Sequence, residues 1–137
     1  MYPSEIVLPM KAILTENGFV DVSSAEIVEE NIKKSATTLF VINSVCGCSA
    51  SSARPGVLMS LDNEKSPAHL ATVFAGFDIE STKKLREFLM PFPPSSPAIA
   101  LFKDGELVHM LERHHIEGHS AQAISENLKH AYNEYCN

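Results

Sequence analysis

Thr38-Leu39-Phe40-Val41-Ile42 is an unbroken run of apolar and β-branched residues near the middle of the chain. A strand with one wet face alternates polar and apolar side chains, so a run without alternation is buried on both faces. Such a strand demands helices above and below its sheet, and that requirement sets the architecture. Leu70 to Phe74 repeats the pattern. Ala98 to Phe102 and Leu107 to Glu112 read as two more strands, joined by Lys103-Asp104-Gly105-Glu106. Asp-Gly between apolar strands is a strong hairpin signal.

The segments between these strands read as helices. Ser4 is a cap for a first helix carrying Ile6, Met10, Ile13 and Leu14 at helical spacing, with Pro9 inside it and Asn17-Gly18 ending it. Phe19 to Val22 is a short strand. Ser23 and Glu26 form a capping-box pattern for a helix with Ile27, Val28 and Ile32. Small residues after Cys48 open a helix through Val57 and Leu58 towards Leu61, with Pro55 marking a kink or its first turn. Thr82 to Met90 is helical with Leu85, Phe88 and Leu89 on one face. Ser120 caps a last helix whose stripe is Ile124, Leu128, Ala131, Tyr132 and Tyr135. The order α, then β-α-β-α-β-α-β-β-α, implies a mixed sheet covered on both faces.

At 137 residues the chain is expected to form one domain, 1–137, with a core that needs no disulfide staple. A net charge of −6 without a basic cluster argues against nucleic acid or an anionic membrane as partner. The N-terminus lacks the basic and apolar regions of a secretory signal, so a cytoplasmic location is expected. In that compartment paired cysteines are catalytic, redox-sensing or metal-binding rather than structural.

Cys46-Gly47-Cys48 follows the first buried strand and precedes Ser49-Ala50-Ser51-Ser52-Ala53. The thiolate is the reactive form of cysteine, and the start of a helix favours it through unpaired N–H groups and the helix dipole. The site then falls at the C-terminal end of a central parallel strand, where open α/β sheets place their ligands. In extended chain the two Cα atoms would be roughly 6.6 Å apart with side chains on opposite faces. The chain therefore has to turn at Gly47 for the thiols to meet. The resulting ring is smaller than in Cys-x-x-Cys, and a strained disulfide is the more oxidising and more easily reduced.

The chain resembles the bacilliredoxin family, thioredoxin-like proteins with Cys-Gly-Cys in place of Cys-x-x-Cys. The matching stretches are Asn43-Ser44-Val45-Cys46-Gly47-Cys48 with Ala53-Arg54-Pro55, then Pro94-Ser95-Ser96-Pro97 before Ala98 to Gly105, and Arg113-His114-His115-Ile116-Glu117-Gly118. His119 departs from the basic residue common at that place. The resemblance implies a thioredoxin-like α/β fold with an extra N-terminal helix, and thiol-disulfide exchange that removes bacillithiol from mixed disulfides on proteins. The partners it implies are such proteins and the small thiol as co-substrate, with no bound cofactor and no metal.

Cys46, first and at the strand end, is expected to attack, with Cys48 resolving or tuning it. The resemblance also implies that Pro97 is a cis-proline beside the thiols, with Ser96-Pro97 offering backbone to substrate. Gly47 and Arg54 complete the expected substrate-binding set, Arg54 by pairing with an acidic group or by raising the potential near the thiols; a solvated helix residue is the plainer reading of Arg54. Cys136 is expected to be an exposed free thiol, with a remote resolving role as the alternative. His114, His115 and His119 read as polar loop residues rather than metal ligands. Two other functions fit: a disulfide isomerase or general reductase on the same fold, and a metal-binding module using Cys46, Cys48 and perhaps Cys136.

Overall fold

The computed structural model describes residues 1–137. Its centre is β2, Thr37–Asn43, in which all seven residues are buried. On one side β2 pairs in parallel with β3, His69–Phe74, and on the other antiparallel with β4, Ala98–Lys103. A two-residue strand β1, Val20–Asp21, forms one edge, and β5, Glu106–Leu111, the other, giving the order β1-β3-β2-β4-β5. The hairpin between β4 and β5 turns at Asp104 and Gly105, both with positive φ. That is the pair of left-handed residues a two-residue turn of this hand requires.

Alternate residues of β2 go to opposite cores, as the absence of a polar face demands. Leu39 and Val41 join Ile99, Leu101, Val57, Leu128 and Tyr132 on one side. Phe40 and Ile42 join Val28, Ile32, Leu85, Ala100 and Phe102 on the other. The first core lies under α3, Arg54–Ser60, and α6, Ala121–Tyr135; the second under α2, Ala25–Ile32, and α4, Ile79–Phe88. Each large apolar side chain fully buried this way contributes about 1.5–3 kcal/mol.

Several elements depart from what their sequence pattern suggests. The first helix, α1, runs Ser4–Thr15 through Pro9, but it buries Val7, Lys11 and Leu14. Ile6 and Ile13, expected inside, are 47% and 41% exposed. The reason is Lys11, whose Nζ lies 2.8 Å from Asp78 and 2.9 Å from Asp21. Those carboxylates turn the helix so that a lysine, not an isoleucine, faces the sheet. The second helix is capped by Ser24 rather than Ser23, and no side chain closes the box. Pro55 sits in the first turn of α3, preceded by a wider π-helical turn at Ser49–Ala53. A further short helix, α5, Arg113–Ile116, follows β5.

Candidate active site

The thiols stand where β2 ends. Asn43, its last residue, holds the turn through one side chain: Oδ1 accepts from the Ser44 N–H, the Ser49 hydroxyl and Arg54 Nη1, and Nδ2 donates to the Met10 carbonyl. Ser44 Oγ then accepts from the Cys46 N–H at 3.0 Å. The Cys46 carbonyl accepts from the N–H groups of Ser49 and Ala50, so the cysteine begins the helical segment. This brings the two Sγ atoms of Cys46 and Cys48 to 2.6 Å, both partly exposed and both free.

The two thiols are electrically unequal. The Cys46 thiol is held below its ordinary value, first by the hydrogen bond from Cys48, then by the Cys48 N–H and the positive charge of Arg113. The Cys48 N–H points at Cys46 Sγ at 3.4 Å. The Cys48 thiol is pushed up, chiefly by burial, then by its bond to Cys46 and the charge there. The pair thus stabilises one thiolate, on Cys46, with Cys48 as its donor.

Four expected site residues gather at this end of the sheet, though not all as expected. Ser96-Pro97 is cis and leads directly into β4. Since Ala98 pairs with Ile42, this segment lies across from Asn43 and the cysteine turn. Gly47 does form the turn, but its φ is not positive and a Cβ built on it meets nothing within 4 Å. Glycine is therefore not forced there by the backbone, and the space on its Cβ side is open. Arg54 is neither solvated nor surface-paired: it is 3% exposed, and Nη1 donates to Asn43 Oδ1, the Ser44 carbonyl and Ser49 Oγ. It faces inward, where the turn supplies three oxygens for its Nη1.

Cys136 is also corrected. It is 3% exposed within the α3–α6 core, near Thr37 at the far end of β2 from the cysteine turn. Burial pushes its thiol up. A three-cysteine metal site is therefore not assembled. His114 and His115 lie on α5, and with His119 they line a hollow between α5 and α6 of about 230 Å³. Glu112, His114 and His115 bring donor atoms within 4.8 Å of one another. His115 Nδ1, however, already accepts from the Glu112 N–H, as a cap for α5.

Arg113 is the residue the sequence reading passed over. Its N–H donates to Ser95 Oγ, its Nη1 to the Ser96 carbonyl at 3.4 Å, and its Nε to Glu117 Oε2 at 3.1 Å. It thus bridges the proline loop and α5, and its charge acts on both sulfurs. The only signal for it in the sequence was its place in the Arg113 to Gly118 motif.

A mixed sheet with two thiols at the end of its central parallel strand and a cis-proline opposite defines a thioredoxin-fold thiol-disulfide oxidoreductase. Solved thioredoxins share the fold: mitochondrial thioredoxin 3 of Saccharomyces cerevisiae superposes with a TM-score of 0.60 at 13% identity, covering 86% of this chain and 96% of that one. A mutant thioredoxin of Halobacterium salinarum gives 0.61 at 17% identity, over 86% and 90%. A family model described as disulphide isomerase matches residues 2–136. A bacilliredoxin of Cytophaga hutchinsonii is 58% identical over 134 residues, 98% of this chain and 99% of that protein. One of Halalkalibacterium halodurans is 51% identical over 136 residues, 98% and 94%. The chain belongs to the bacilliredoxin family.

Proposed function

We propose that this protein removes a small thiol, bacillithiol, from mixed disulfides on other proteins. The observation that carries the reading is the geometry of the pair: the two sulfurs lie 2.6 Å apart and the Cys48 N–H points at Cys46 Sγ, an arrangement that favours the thiolate on Cys46 over Cys48. The Cys46 thiolate attacks the sulfur of the small thiol. A Cys46–small-thiol disulfide forms, the bond to the client protein breaks, and the client sulfur leaves as a thiolate that takes a proton from solvent. Cys48 then gives up its proton and attacks Cys46 Sγ, forming the Cys46–Cys48 disulfide and releasing the small thiol. An external thiol reductant returns the pair to two thiols, accepting the disulfide in exchange.

Opposite the thiols, Ser96-Pro97 presents backbone to the client. The open space over Gly47 admits the small thiol. Arg54 acts as a positioning residue, holding the turn from beneath. No residue is assigned to a metal or an organic cofactor.

The test is mass spectrometry after reaction with a client protein carrying bacillithiol. Cys46→Ser is expected to release none, and Cys48→Ser to accumulate the adduct on Cys46. An adduct on Cys48, or full release by Cys46→Ser, overturns the assignment. Equal turnover of scrambled protein disulfides and small-thiol adducts would instead favour the isomerase reading, which the family description makes the second choice.

A further inference from the structure

Arg113 sits at the lip of the site with part of its guanidinium unused. Glu117 fixes Nε, the Ser96 carbonyl takes a long contact from Nη1, and Nη2 has no protein partner. Its side chain is 45% exposed. On one side is the Ser95–Ser96 segment that leads into β4; on the other, within reach of its field, are the sulfurs. The flank of Gly47 is open, with nothing within 4 Å of an added Cβ, and so leaves room beside Cys46 for a small thiol disulfide-bonded to it. Arg113 is the charged group that both touches the proline loop and acts on the sulfurs at that opening. Arg54 cannot serve there, because it is buried with Nη1 shared among three oxygens of the turn.

Building on the exchange reading above, we infer that Arg113 is a specificity-determining residue which binds a carboxylate of the small-thiol half of the mixed disulfide through its free guanidinium edge. A planar donor fork suits a carboxylate, and Glu117 pre-orients it by locking Nε. The same cation favours the Cys46 thiolate before attack. Once Cys46 has become a neutral disulfide sulfur, the cation keeps only Glu117, on its Nε side, unless the adduct brings a second anion to the free edge. Small thiols bearing a carboxylate are thus retained for Cys48 to displace, and neutral or cationic ones are held less well. Because the site is half open to water, the effect is that of a screened pair, about two- to fivefold in kcat/KM.

The experiment uses the full chain and one reporter protein with a single cysteine, loaded in turn with bacillithiol, with 2-mercaptoethanol as a neutral adduct, and with cysteamine as a cationic one. Wild type is expected to favour the bacillithiol adduct over the mercaptoethanol adduct. Arg113→Gln is expected to erase that preference mainly through KM, and Arg113→Glu to reverse it in favour of cysteamine. The wild-type preference should also shrink in 1 M salt, where the screening length falls to about 3 Å. The mercaptoethanol adduct reports how far each substitution changes the thiolate itself. If Arg113→Gln slows all three adducts equally, Arg113 acts only on the thiolate and the specificity role is wrong. If wild type releases none of the three, the exchange reading fails and this inference with it.

Discussion

Asn43 uses every polar atom of its side chain inside the protein. It receives three donors on one oxygen and spans from α1 to the cysteine turn. Arg54 answers it with a buried cation that meets only neutral oxygens and whose pKa burial pulls down, though an arginine stays charged at any working pH. Asn43→Ala removes an acceptor from that cation, and we expect a loss of about 2–3 kcal/mol in urea denaturation. Cys46 gives a prediction about pH. Its thiol lies below the ordinary value and Cys48 above it, so alkylation of Cys46 should rise with pH through a midpoint below the ordinary cysteine value of 9.0. In Cys48→Ala the leading stabiliser of the thiolate is gone, and the midpoint should move up; following iodoacetamide labelling by mass spectrometry measures both. An unmoved midpoint would mean that the hydrogen bond from Cys48 does not set the reactivity.

At the scale of the elements, α3 and α6 fit closely against each other. A Cβ added to Gly56 would stand 2.7 Å from Ile124 Cβ and 2.9 Å from the Ala121 carbonyl. Backbone and Cβ cannot swing aside as a side-chain tip can, so Gly56→Ala must push the helices apart. A cost of about 1–3 kcal/mol is expected in thermal or urea melts, with α6 shifted away from Val57. The buried Ser60–Tyr132 hydroxyl contact at 2.9 Å crosses the same interface, and burial keeps Tyr132 protonated. Strand positions were legible from the sequence because an apolar β-branched run has few other uses. Helix faces were less so. The stripe Ile6, Met10, Ile13 is as helical as Val7, Lys11, Leu14, and only Asp21 and Asp78, both outside the helix, decide between them.

At the scale of the whole molecule, Lys11 joins the extra helix to the body. It pairs with Asp78 and Asp21, lies 5.1 Å from the Phe77 ring, and Asp78 in turn accepts from the Phe74 N–H at the end of β3. Burial works against the lysine charge, but the two carboxylates outweigh it and its pKa ends raised. A raised lysine stabilises fully below its unfolded value and loses that contribution only as pH climbs through the folded one. The penalty of Lys11→Ala should therefore be flat from neutral pH to the ordinary lysine value of 10.5 and shrink only beyond it. Breaking a buried pair leaves Asp78 uncompensated, so about 3 kcal/mol is expected in denaturation curves. No helix of this molecule is long and apolar enough to cross a membrane.

The sequence by itself determined the strands, the hairpin at Asp104-Gly105 and the end of β2 as the seat of the thiols. These follow from short-range rules: alternation or its absence, turn chemistry, and two cysteines one residue apart. The rest was decided by groups that meet only when the sheet closes. Arg54 goes under the turn because three oxygens wait there, Cys136 is swallowed by the α3–α6 core, and the charge of Arg113 acts on the thiols because the end of β5 delivers it beside the proline loop. Charge pairing and burial depend on distance in space, and the linear order of residues does not carry that distance.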